Sequence, residues 1–258
     1  MAYQGKSALV TGGGSGMGAL AAQQFAAAGA QVAILDVNEA GLKETAAGNP
    51  NIHPYVVDIT DFAAVEAAVA EFESAHGPLD RVYNCAAIMP FGKLLEQDPA
   101  VTNKLMSINY GGLVCVARAT VPGMVARGCG EFASFASMSG IIPSLMMGGY
   151  NASKAAVATY TEVLWHENRD SGVKFVCVCP PAVATPLLNQ GKETTWPKLM
   201  QQSEGSELTP DVVLAAVDAD LEKGNFWCTV TREAKIGFYM RRWMPNAVWN
   251  NIHKVEGF

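Results

Sequence analysis

The pair of residues with the clearest chemical potential is Tyr150 and Lys154, which stand four positions apart. Residues at that spacing share one face of an α-helix, so on a helix here a phenol and an ammonium would meet at one bound ligand. A phenol has a reference pKa of about 10, and a nearby positive charge favours its ionised form. The pair therefore predicts proton transfer.

A glycine-rich segment near the amino terminus predicts a phosphate-binding turn. It reads Thr11-Gly12-Gly13-Gly14-Ser15-Gly16-Met17-Gly18 and connects a strand-like segment to a helical pattern. In that position, backbone N–H groups and the helix dipole face a pyrophosphate, and the missing side chains permit close approach. A tight turn without a ligand could contain the same glycines, so the motif gains weight only from its context.

Two carboxylates follow at the ends of the next two predicted strands. Asp36 could accept hydrogen bonds from both hydroxyls of an adenosine ribose, and it would repel a 2′-phosphate. Ser15 and Val37 offer no basic side chain at that point, which favours NAD over NADP. Asp58 could accept from an adenine amino group, with Ile59 beside the ring, or it could only cap the following helix.

The elements that must position these residues alternate along the chain. Predicted strands cover residues 7–11, 31–36, 52–58, 81–84, 132–137, 173–179 and 226–231. Predicted helices cover 17–28, 62–73, 101–126 and 150–168, with others starting near residue 39 and at Pro210 after the cap Thr209. Such alternation predicts an α/β fold with a parallel sheet of about seven strands.

Composition narrows the class of protein. The chain has 258 residues, is 50% hydrophobic and 16% charged, and carries a net charge of −6, with no block of like charge. One domain covering 1–258 and no nucleic-acid partner are expected.

The six cysteines form no C-x-x-C pair and the four histidines have no ligand spacing, so a reducing compartment and no metal are predicted. Without a secretory signal or an apolar run of ~20 residues, a cytoplasmic protein without a membrane partner is expected.

Two segments break the alternation. Residues 186–208 mix apolar side chains with Gly, Thr and Gln without a steady period, which favours a mobile lid. The tail, 232–258, is rich in aromatic residues and is expected to pack over the substrate mouth or against a neighbouring subunit.

The glycine turn, Asn84 with Ala86, Asn109, Ser137 and the run Tyr150-Asn151-Ala152-Ser153-Lys154 together resemble the short-chain dehydrogenase/reductase family over nearly the whole chain. The resemblance implies a Rossmann-type doubly wound sheet with helices on both faces. It also implies a nicotinamide cofactor and a substrate alcohol or carbonyl at the carboxyl ends of the strands.

The resemblance further implies a role for each residue. Tyr150 would be the general acid/base, and Lys154 would lower its pKa and hold the nicotinamide ribose. Ser137 would orient the substrate oxygen, with Ser134 and Ser139 as rivals. Asn109 would open its helix locally and hold a water in a proton relay, although a mid-helix Asn could instead be merely solvated. The implied cofactor contacts are Gly12, Gly14, Ser15, Gly16, Met17, Gly18, Asp36, Val37, Asp58, Ile59, Asn84, Ala86, Tyr150, Lys154, Pro180, Val183 and Thr185.

The sequence departs from the family pattern at three positions. Cys85 stands where the family usually has a second Asn, Ala87 where it usually has Gly, and Pro181 where Pro-Gly is usual. Pro181 stiffens the turn that should present Val183 and Thr185 to the cofactor, so the nicotinamide contacts are the part of the resemblance placed in doubt.

The side chains expected to face the substrate are mostly apolar, which favours a small hydrophobic secondary alcohol or ketone. They are Met89, Ser137, Met138, Ser139, Met147, Tyr150, Leu187, Leu188 and Trp196. Two alternatives stay open: an epimerase or dehydratase that retains NAD, and a non-catalytic NAD-binding sensor. The resemblance implies a homotetramer assembled through the helices at 101–126 and 150–168.

Overall fold

The computed structural model describes residues 5–257, and a parallel seven-stranded sheet forms its centre. The strands are β1 Ser7–Thr11, β2 Gln31–Asp36, β3 Ile52–Val56, β4 Arg81–Asn84, β5 Gly130–Phe135, β6 Val173–Val178 and β7 Trp227–Cys228. Their spatial order is β3-β2-β1-β4-β5-β6-β7. The predicted doubly wound Rossmann-type fold is confirmed.

Helices follow the strands and cover both faces of the sheet. They are α1 Gly16–Ala27, α2 Glu39–Ala46, α3 Phe62–His76, α4 Pro99–Leu105, α5 Gly112–Arg127, α6 Gly148–Glu167, α7 Pro186–Lys192, α8 Lys198–Gln201, α9 Pro210–Lys223, α10 Arg232–Trp243 and α11 Pro245–Glu256. A π-helical segment, Met106–Gly111, joins α4 to α5, and a 3-10 turn, Met138–Gly140, follows β5.

The alternation of side chains along each strand produces two hydrophobic layers. In β1, Leu9 belongs to the layer that packs against α3, α5 and α6, whereas Ala8 and Val10 belong to the layer against α1 and α9. All five residues of β1 are buried, as expected of a strand covered on both faces. The sheet therefore forms a rigid platform whose strand ends can carry a site.

Most predicted elements differ from the structure only by up to three residues at an end, as in the strand predicted at 132–137, which covers Gly130–Phe135 and ends before Ser137. Two predicted elements differ more. The strand predicted at 226–231 pairs with β6 only over Trp227–Cys228, because Val230 has a left-handed backbone (φ 66°) that ends the extended conformation. The helix predicted at 101–126 is divided by the π-helical segment. Thr209 does occupy the cap position of α9 and Pro210 its first position, although the Thr209 side chain makes no capping hydrogen bond.

The segment 186–208 contains two short helices, and hydrogen bonds fix both of them. In α7, Gln190 Oε1 accepts from the Met89 amide (2.5 Å). At the start of α8, the Glu256 carboxylate of α11 accepts from the amides of Lys198 (3.1 Å) and Leu199 (2.8 Å). The carboxyl-terminal tail thus contacts the predicted lid, and the lid function itself stays a prediction.

The order of the strands in the sheet determines where a ligand site can form. Connections leave β1 towards β2 on one side and β4 towards β5 on the other, so a crevice opens at the carboxyl ends of β1 and β4. Ligands of doubly wound sheets bind at this kind of switch point.

Candidate active site

Two adjoining cavities lie at the carboxyl ends of the strands. One, of about 430 Å³, is lined by the glycine turn and by residues at the ends of β2 and β3, and we name it the cofactor cavity. The other, of about 280 Å³, lies at the ends of β5 and β6, and we name it the substrate cavity. Met17, Cys85, Ala87 and Leu187 line both cavities, so the two spaces are continuous.

Helix α6 places Tyr150 and Lys154 on its buried face, as the spacing predicts. Tyr150 is 5% exposed and Lys154 is 3% exposed, and both line the substrate cavity. The Lys154 Nζ donates to the backbone oxygen of Phe135 (2.7 Å) and lies 5.8 Å from the centre of the Tyr150 ring. A phenol and an ammonium therefore do meet at one cavity.

Ser137 follows β5 and reaches the same cavity. Its hydroxyl interacts with the Tyr150 phenol and lowers the pKa of that group, and its Oγ accepts from the Ser139 amide (3.1 Å). The following turn lies so close to α6 that a Cβ at Gly140 would be 2.6 Å from the Lys154 carbonyl carbon. A glycine at this position is what lets the turn carrying Ser137 pack against the helix carrying Tyr150.

The rivals of Ser137 lie in different environments. Ser134 is fully buried within β5, where its hydroxyl pairs with that of Thr161 at 2.6 Å. Ser139 lines the substrate cavity but follows Ser137 by two residues along the turn. Of the three hydroxyls, that of Ser137 is the one that lowers the pKa of the Tyr150 phenol.

Burial shifts the two titratable groups in opposite directions. Burial raises the pKa of Tyr150 to about 12, opposed by the hydrogen bond with Ser137. Burial lowers the pKa of Lys154 to about 8, opposed by the nearby thiols of Cys85, Cys177 and Cys179. The sequence predicts a lowered phenol pKa, whereas in the structure desolvation outweighs the opposing effect of Ser137 and the pKa of Tyr150 is raised.

Asn109 lies in the π-helical segment, where the resemblance implies a local opening of the helix. Its Oδ1 accepts from the Ile88 amide (2.9 Å), and its Nδ2 donates to the Ile88 carbonyl (3.0 Å) and to Ser153 Oγ (3.0 Å). Ser153 Oγ in turn donates to the Tyr150 carbonyl oxygen (2.8 Å). Asn109 therefore fixes the loop after β4 to the helix that carries Tyr150 and Lys154, and it is not a merely solvated side chain.

Most of the predicted cofactor contacts line the cofactor cavity. These are Gly12, Ser15, Gly16, Met17, Gly18, Asp36, Val37, Asp58, Ile59, Ala86 and Thr185. Tyr150, Lys154, Pro180 and Val183 line the adjoining substrate cavity, with Pro181 beside them.

Two predicted contacts line neither cavity. Asn84 is 3% exposed, and its Oδ1 accepts from Thr11 Oγ1 (3.0 Å), which in turn accepts from the Ala86 amide (3.1 Å). The Gly14 amide donates to Asp36 Oδ2 (3.0 Å). Asn84 thus connects β4 to β1, and Gly14 holds Asp36 in place.

The glycine turn fits a bound pyrophosphate. A Cβ at Gly18 would be 2.2 Å from the Gly12 oxygen, so α1 starts in direct contact with the turn. Gly12 has φ +66°, and its Cβ would be 2.9 Å from the Ala86 amide. Side chains there would displace the backbone, and their absence keeps the amino end of α1 open to an anion.

Asp36 and Lys104 are the charged residues that bear most on the choice of cofactor. Besides the Gly14 amide, the Asp36 carboxylate accepts from the Asn38 amide (3.0 Å). Lys104 of α4 lines the same cavity and was missed from the sequence, since it lies in a helix distant from the glycine turn along the chain. Asp58 accepts from the Thr60 amide (2.9 Å) and hydroxyl (2.8 Å). It does not cap the following helix, as one of its two predicted roles required, because Asp61 is the cap of α3 and accepts from the Ala64 amide (3.1 Å).

The substrate cavity is lined largely as predicted, by apolar side chains. Met89, Ser137, Met138, Ser139, Met147, Tyr150, Leu187 and Leu188 line it. Trp196 does not: its ring stacks on Phe91 at 6.1 Å, and its Nε1 donates to Glu204 (2.8 Å). Ser144, Leu199 and Ser203 also line it and were missed, because no motif marks them.

Within residues 5–257, no group of three or more His, Cys, Asp or Glu side chains could hold a metal ion. The same residues contain no helix that combines the length and the apolar character needed to cross a bilayer.

Known proteins share this sequence pattern. A family model described as short chain dehydrogenase matches residues 6–196. The 2-keto-3-deoxy-L-fuconate dehydrogenase of Xanthomonas campestris is 34% identical over 72% of this chain and 61% of its own length, so the chain spans about three fifths of that relative. The galactitol 2-dehydrogenase (L-tagatose-forming) of Cereibacter sphaeroides is 36% identical over 73% of this chain and 76% of its own length.

The fold has close counterparts among solved structures. A short chain dehydrogenase/reductase from Burkholderia phymatum in complex with NAD superimposes with a TM-score of 0.84, at 24% identity, over 96% of each chain. At that identity the likeness concerns the fold. Taken with the family model, which covers well over half of the residues, it completes the assignment: this chain belongs to the short-chain dehydrogenase/reductase family.

Proposed function

We propose that the protein transfers a hydride between NAD(H) and a hydrophobic secondary alcohol or ketone. The observation that carries the proposal is the meeting of Ser137, Tyr150 and Lys154 at a cavity continuous with the glycine-lined cofactor cavity. The relatives' names describe dehydrogenases of sugar-derived substrates, and their chemistry is the same interconversion of an alcohol and a carbonyl.

The proposed roles follow from the side chains' positions. The hydroxyls of Ser137 and Tyr150 would hold the substrate oxygen between them, and Tyr150 would accept or return its proton. NAD, when bound, supplies the hydride acceptor and a positive charge that favours the phenolate. Lys154 would add charge and a ribose contact, and its Nζ has donors beyond the one bound to Phe135. Asn109 would hold the helix and loop in register and, through water, complete the proton path.

NAD is proposed over NADP because of the charge at the end of β2. The Asp36 carboxylate lines the cofactor cavity and would bind ribose hydroxyls but repel a phosphate. Lys104, which lines the same cavity, supplies a cation for the pyrophosphate of either cofactor.

The substrate class is proposed from the walls of the substrate cavity. Five methionines line it, Met17, Met89, Met138, Met147 and Met200, together with Leu187, Leu188 and Leu199. Among the described residues no arginine lines the cavity, and its one lysine, Lys154, is the residue proposed to contact the ribose, so the wall offers no bidentate partner for a carboxylate or phosphate. Flexible thioethers fit irregular apolar ligands, which supports a bulky hydrophobic substrate rather than a sugar.

The decisive experiment follows NADH absorbance with purified protein against aliphatic, aryl, steroid and sugar alcohols, with NADP in parallel. We expect the hydrophobic alcohols with NAD to be turned over fastest. Tyr150→Phe should bind NAD normally and lower turnover at least about a hundredfold, the scale of lost acid/base catalysis. Tyr160→Phe, on the same helix but packed against Tyr110, is the matched control.

Three outcomes would contradict the proposal. Unchanged turnover in Tyr150→Phe would remove the assigned acid/base. NAD that stays bound through purification and is not consumed while substrate is converted would favour the epimerase or dehydratase alternative. NAD binding without any turnover would favour the sensor.

Two further properties belong to the proposal. We propose a homotetramer assembled through the faces of α5 and α6, to be checked by light scattering of the purified protein. We also propose a cytoplasmic location, supported by six cysteines that are all free of disulfide bonds.

A further inference from the structure

A third cavity, of about 750 Å³, lies on the other side of the loop that follows Ser137. One wall is the segment 93–96 after β4, another is α6, and Arg241 of α10 and Trp249 of α11 form a third. We name it the rear cavity. Ser139 and Ser144 line both it and the substrate cavity, so the loop between them is a shared wall. The volume falls in the ~300–1,000 Å³ range of small-molecule sites.

Most of the rear cavity is apolar. Leu94, Ile141, Pro143, Leu145 and Met146 line it. Leu95, also in the lining, is entirely exposed, and Leu94 is 61% exposed. Large apolar side chains in that number around a concavity are typical of a site that takes a ligand with an apolar body.

A buried hydrogen-bond acceptor without a partner marks the wall formed by α6. Asn151 lines the cavity and is 7% exposed, and its Nδ2 donates to the Ser144 carbonyl (2.8 Å). That bond fixes the amide orientation. Its Oδ1 is the one buried side-chain polar atom that lacks a hydrogen-bond partner within the described range. Buried acceptors are nearly always paired, so this atom points to a donor that comes from outside the chain.

A cation without a partner stands in the opposite wall. Lys93 is neutralised by Glu96 at 2.9 Å. Arg241 is half-buried and, across residues 5–257, forms no ion pair or hydrogen bond. Its neighbour Arg242 stacks on Trp243 and does not line the cavity. A guanidinium at the edge of an apolar cavity suits the carboxylate of an amphipathic ligand.

From these features we propose that the rear cavity binds an amphipathic carboxylate with a hydroxyl on its apolar body. The carboxylate pairs with Arg241, the apolar body lies against Leu94, Leu145 and Trp249, and the hydroxyl donates to Asn151 Oδ1. The proposal is independent of the hydride transfer proposed above, because it concerns a separate cavity that contains none of the residues assigned to the proton transfer.

The test measures binding to the full chain by isothermal titration calorimetry, with NAD present. The probe is 10-hydroxydecanoate, compared with decanoate, which lacks the hydroxyl, and 1,10-decanediol, which lacks the carboxylate. We expect 10-hydroxydecanoate to bind at least about fivefold more tightly than either analogue, by the scale of one good hydrogen bond or ion pair. Arg241→Gln should remove its advantage over the diol, and Asn151→Leu its advantage over decanoate.

Matched variants locate the binding. Arg242→Gln changes the neighbouring arginine outside the cavity and should leave the affinity unchanged. Ala152→Trp should fill the rear cavity and abolish binding, whereas Leu187→Trp fills the substrate cavity and should not. Equal loss in Arg241→Gln and Arg242→Gln, loss only in Leu187→Trp, or equal affinity for the three probes would each overturn the proposal. If Asn151→Leu fails to fold, the comparisons of Arg241→Gln with Arg242→Gln and of Ala152→Trp with Leu187→Trp still decide the proposal.

Discussion

The titration of Tyr150 and Lys154 shows how the protein surroundings prepare both groups. Burial, only partly opposed by Ser137, raises the pKa of the phenol to about 12, and burial, partly opposed by nearby thiols, lowers the pKa of the ammonium to about 8. A charged ligand bound in the site would therefore have a large effect on the pKa values of both groups, because little water is present to screen its charge. The chemistry of the pair depends on what binds beside it.

The first prediction concerns protein stability and Lys154. Below pH 8 the lysine is charged in the folded and unfolded states, and burying that charge costs stability. Between pH 8 and its ordinary pKa of 10.5 only the unfolded chain keeps the proton, so stability rises with pH. Relative to Lys154→Met, the wild-type unfolding free energy should therefore increase from pH 7.5 to pH 10, by on the order of 2 kcal/mol.

Urea unfolding without added cofactor, at several pH values, measures this difference. Lys174→Met is the control, since Lys174 is 48% exposed and should show no such slope. A stability difference between wild type and Lys154→Met that is flat or falls with pH would mean that the Lys154 ammonium is not desolvated.

The second prediction concerns the cofactor choice at Asp36. Asp36→Asn combined with Val37→Arg removes the repelling charge but keeps an acceptor for the Gly14 amide. The ratio of kcat/KM for NAD to that for NADP should fall at least about tenfold, the scale of one charge-assisted hydrogen bond. Steady-state kinetics with both cofactors measure the ratio.

Lys104→Gln serves as the comparison for that change. If Lys104 contacts a pyrophosphate, kcat/KM should fall by a similar factor for NAD and for NADP. The ratio of the two values should then stay unchanged. A ratio that responds to Lys104→Gln but not to the change at Asp36 would place the discriminating charge on α4 instead.

At the residue scale, the sequence was informative where a backbone or a helix face restricts the residue type. Gly12 and Gly18 are such positions, because a Cβ at either would strike the backbone of another segment. Tyr150 and Lys154 are others, because the four-residue spacing places them together. Lys104 and Leu199 reach the cavities only through the way distant segments pack, which no local pattern records.

At the element scale, the central strands were predicted and the shortest helices were not. The bounds of β2 and β4 agree with the expectation. Helices α7 and α8 have seven and four residues, which is too short to show a period. The π-helical segment around Asn109 was expected only from the family resemblance, because its hydrogen bonds to Ile88 and Ser153 are tertiary.

The third prediction concerns the contact between α11 and α8. The Glu256 carboxylate is 5% exposed and accepts from the amides of Lys198 and Leu199. Glu256→Gln keeps one acceptor oxygen and loses the charge, so the segment should open more often. Amide hydrogen exchange at these two residues should become at least about fivefold faster, by the scale of one hydrogen bond.

Glu66→Gln, at an exposed position of α3, controls for the loss of a negative charge. If the segment works as the proposed lid, Glu256→Gln should also raise KM for bulky alcohols, because Leu199 and Met200 line the substrate cavity. Unchanged exchange at Lys198 and Leu199 would show that Glu256 does not fix the segment.

At the scale of the whole molecule, the alternation of strands and helices was enough to predict the sheet. Two-sided burial gives each central strand a continuous hydrophobic run, and the connection rules of parallel sheets determine the order. The tail helices α10 and α11 were not predicted. The apolar residues of α10, including Ile236, Tyr239 and Trp243, are largely exposed, so hydrophobicity does not mark an inner face in that helix.

The main charged network of the described residues lies at the amino-terminal ends of the central strands, opposite the strand ends that carry the site. Arg81, at the start of β4, is 7% exposed and pairs with Glu131 of β5 and with Asp218 of α9. The Tyr83 hydroxyl also donates to Asp218 (3.1 Å). The network connects two strands and a helix at the amino-terminal end of the strands, away from both cavities, so it should support the fold without taking part in binding.

Arg81→Met tests that separation of roles. It leaves the carboxylates of Glu131 and Asp218, which are 22% and 26% exposed, close together without their shared cation. The free energy of unfolding should fall by about 3 kcal/mol, because removing one partner of a largely buried ion pair leaves the remaining charges uncompensated. Lys174→Met, which removes an exposed partner of Glu131 at 3.5 Å, should cost less than about 1 kcal/mol. NAD affinity, measured by calorimetry below the unfolding transition, should stay the same in both variants. A weaker affinity in Arg81→Met alone would show that the amino-terminal ends of the strands do influence the site.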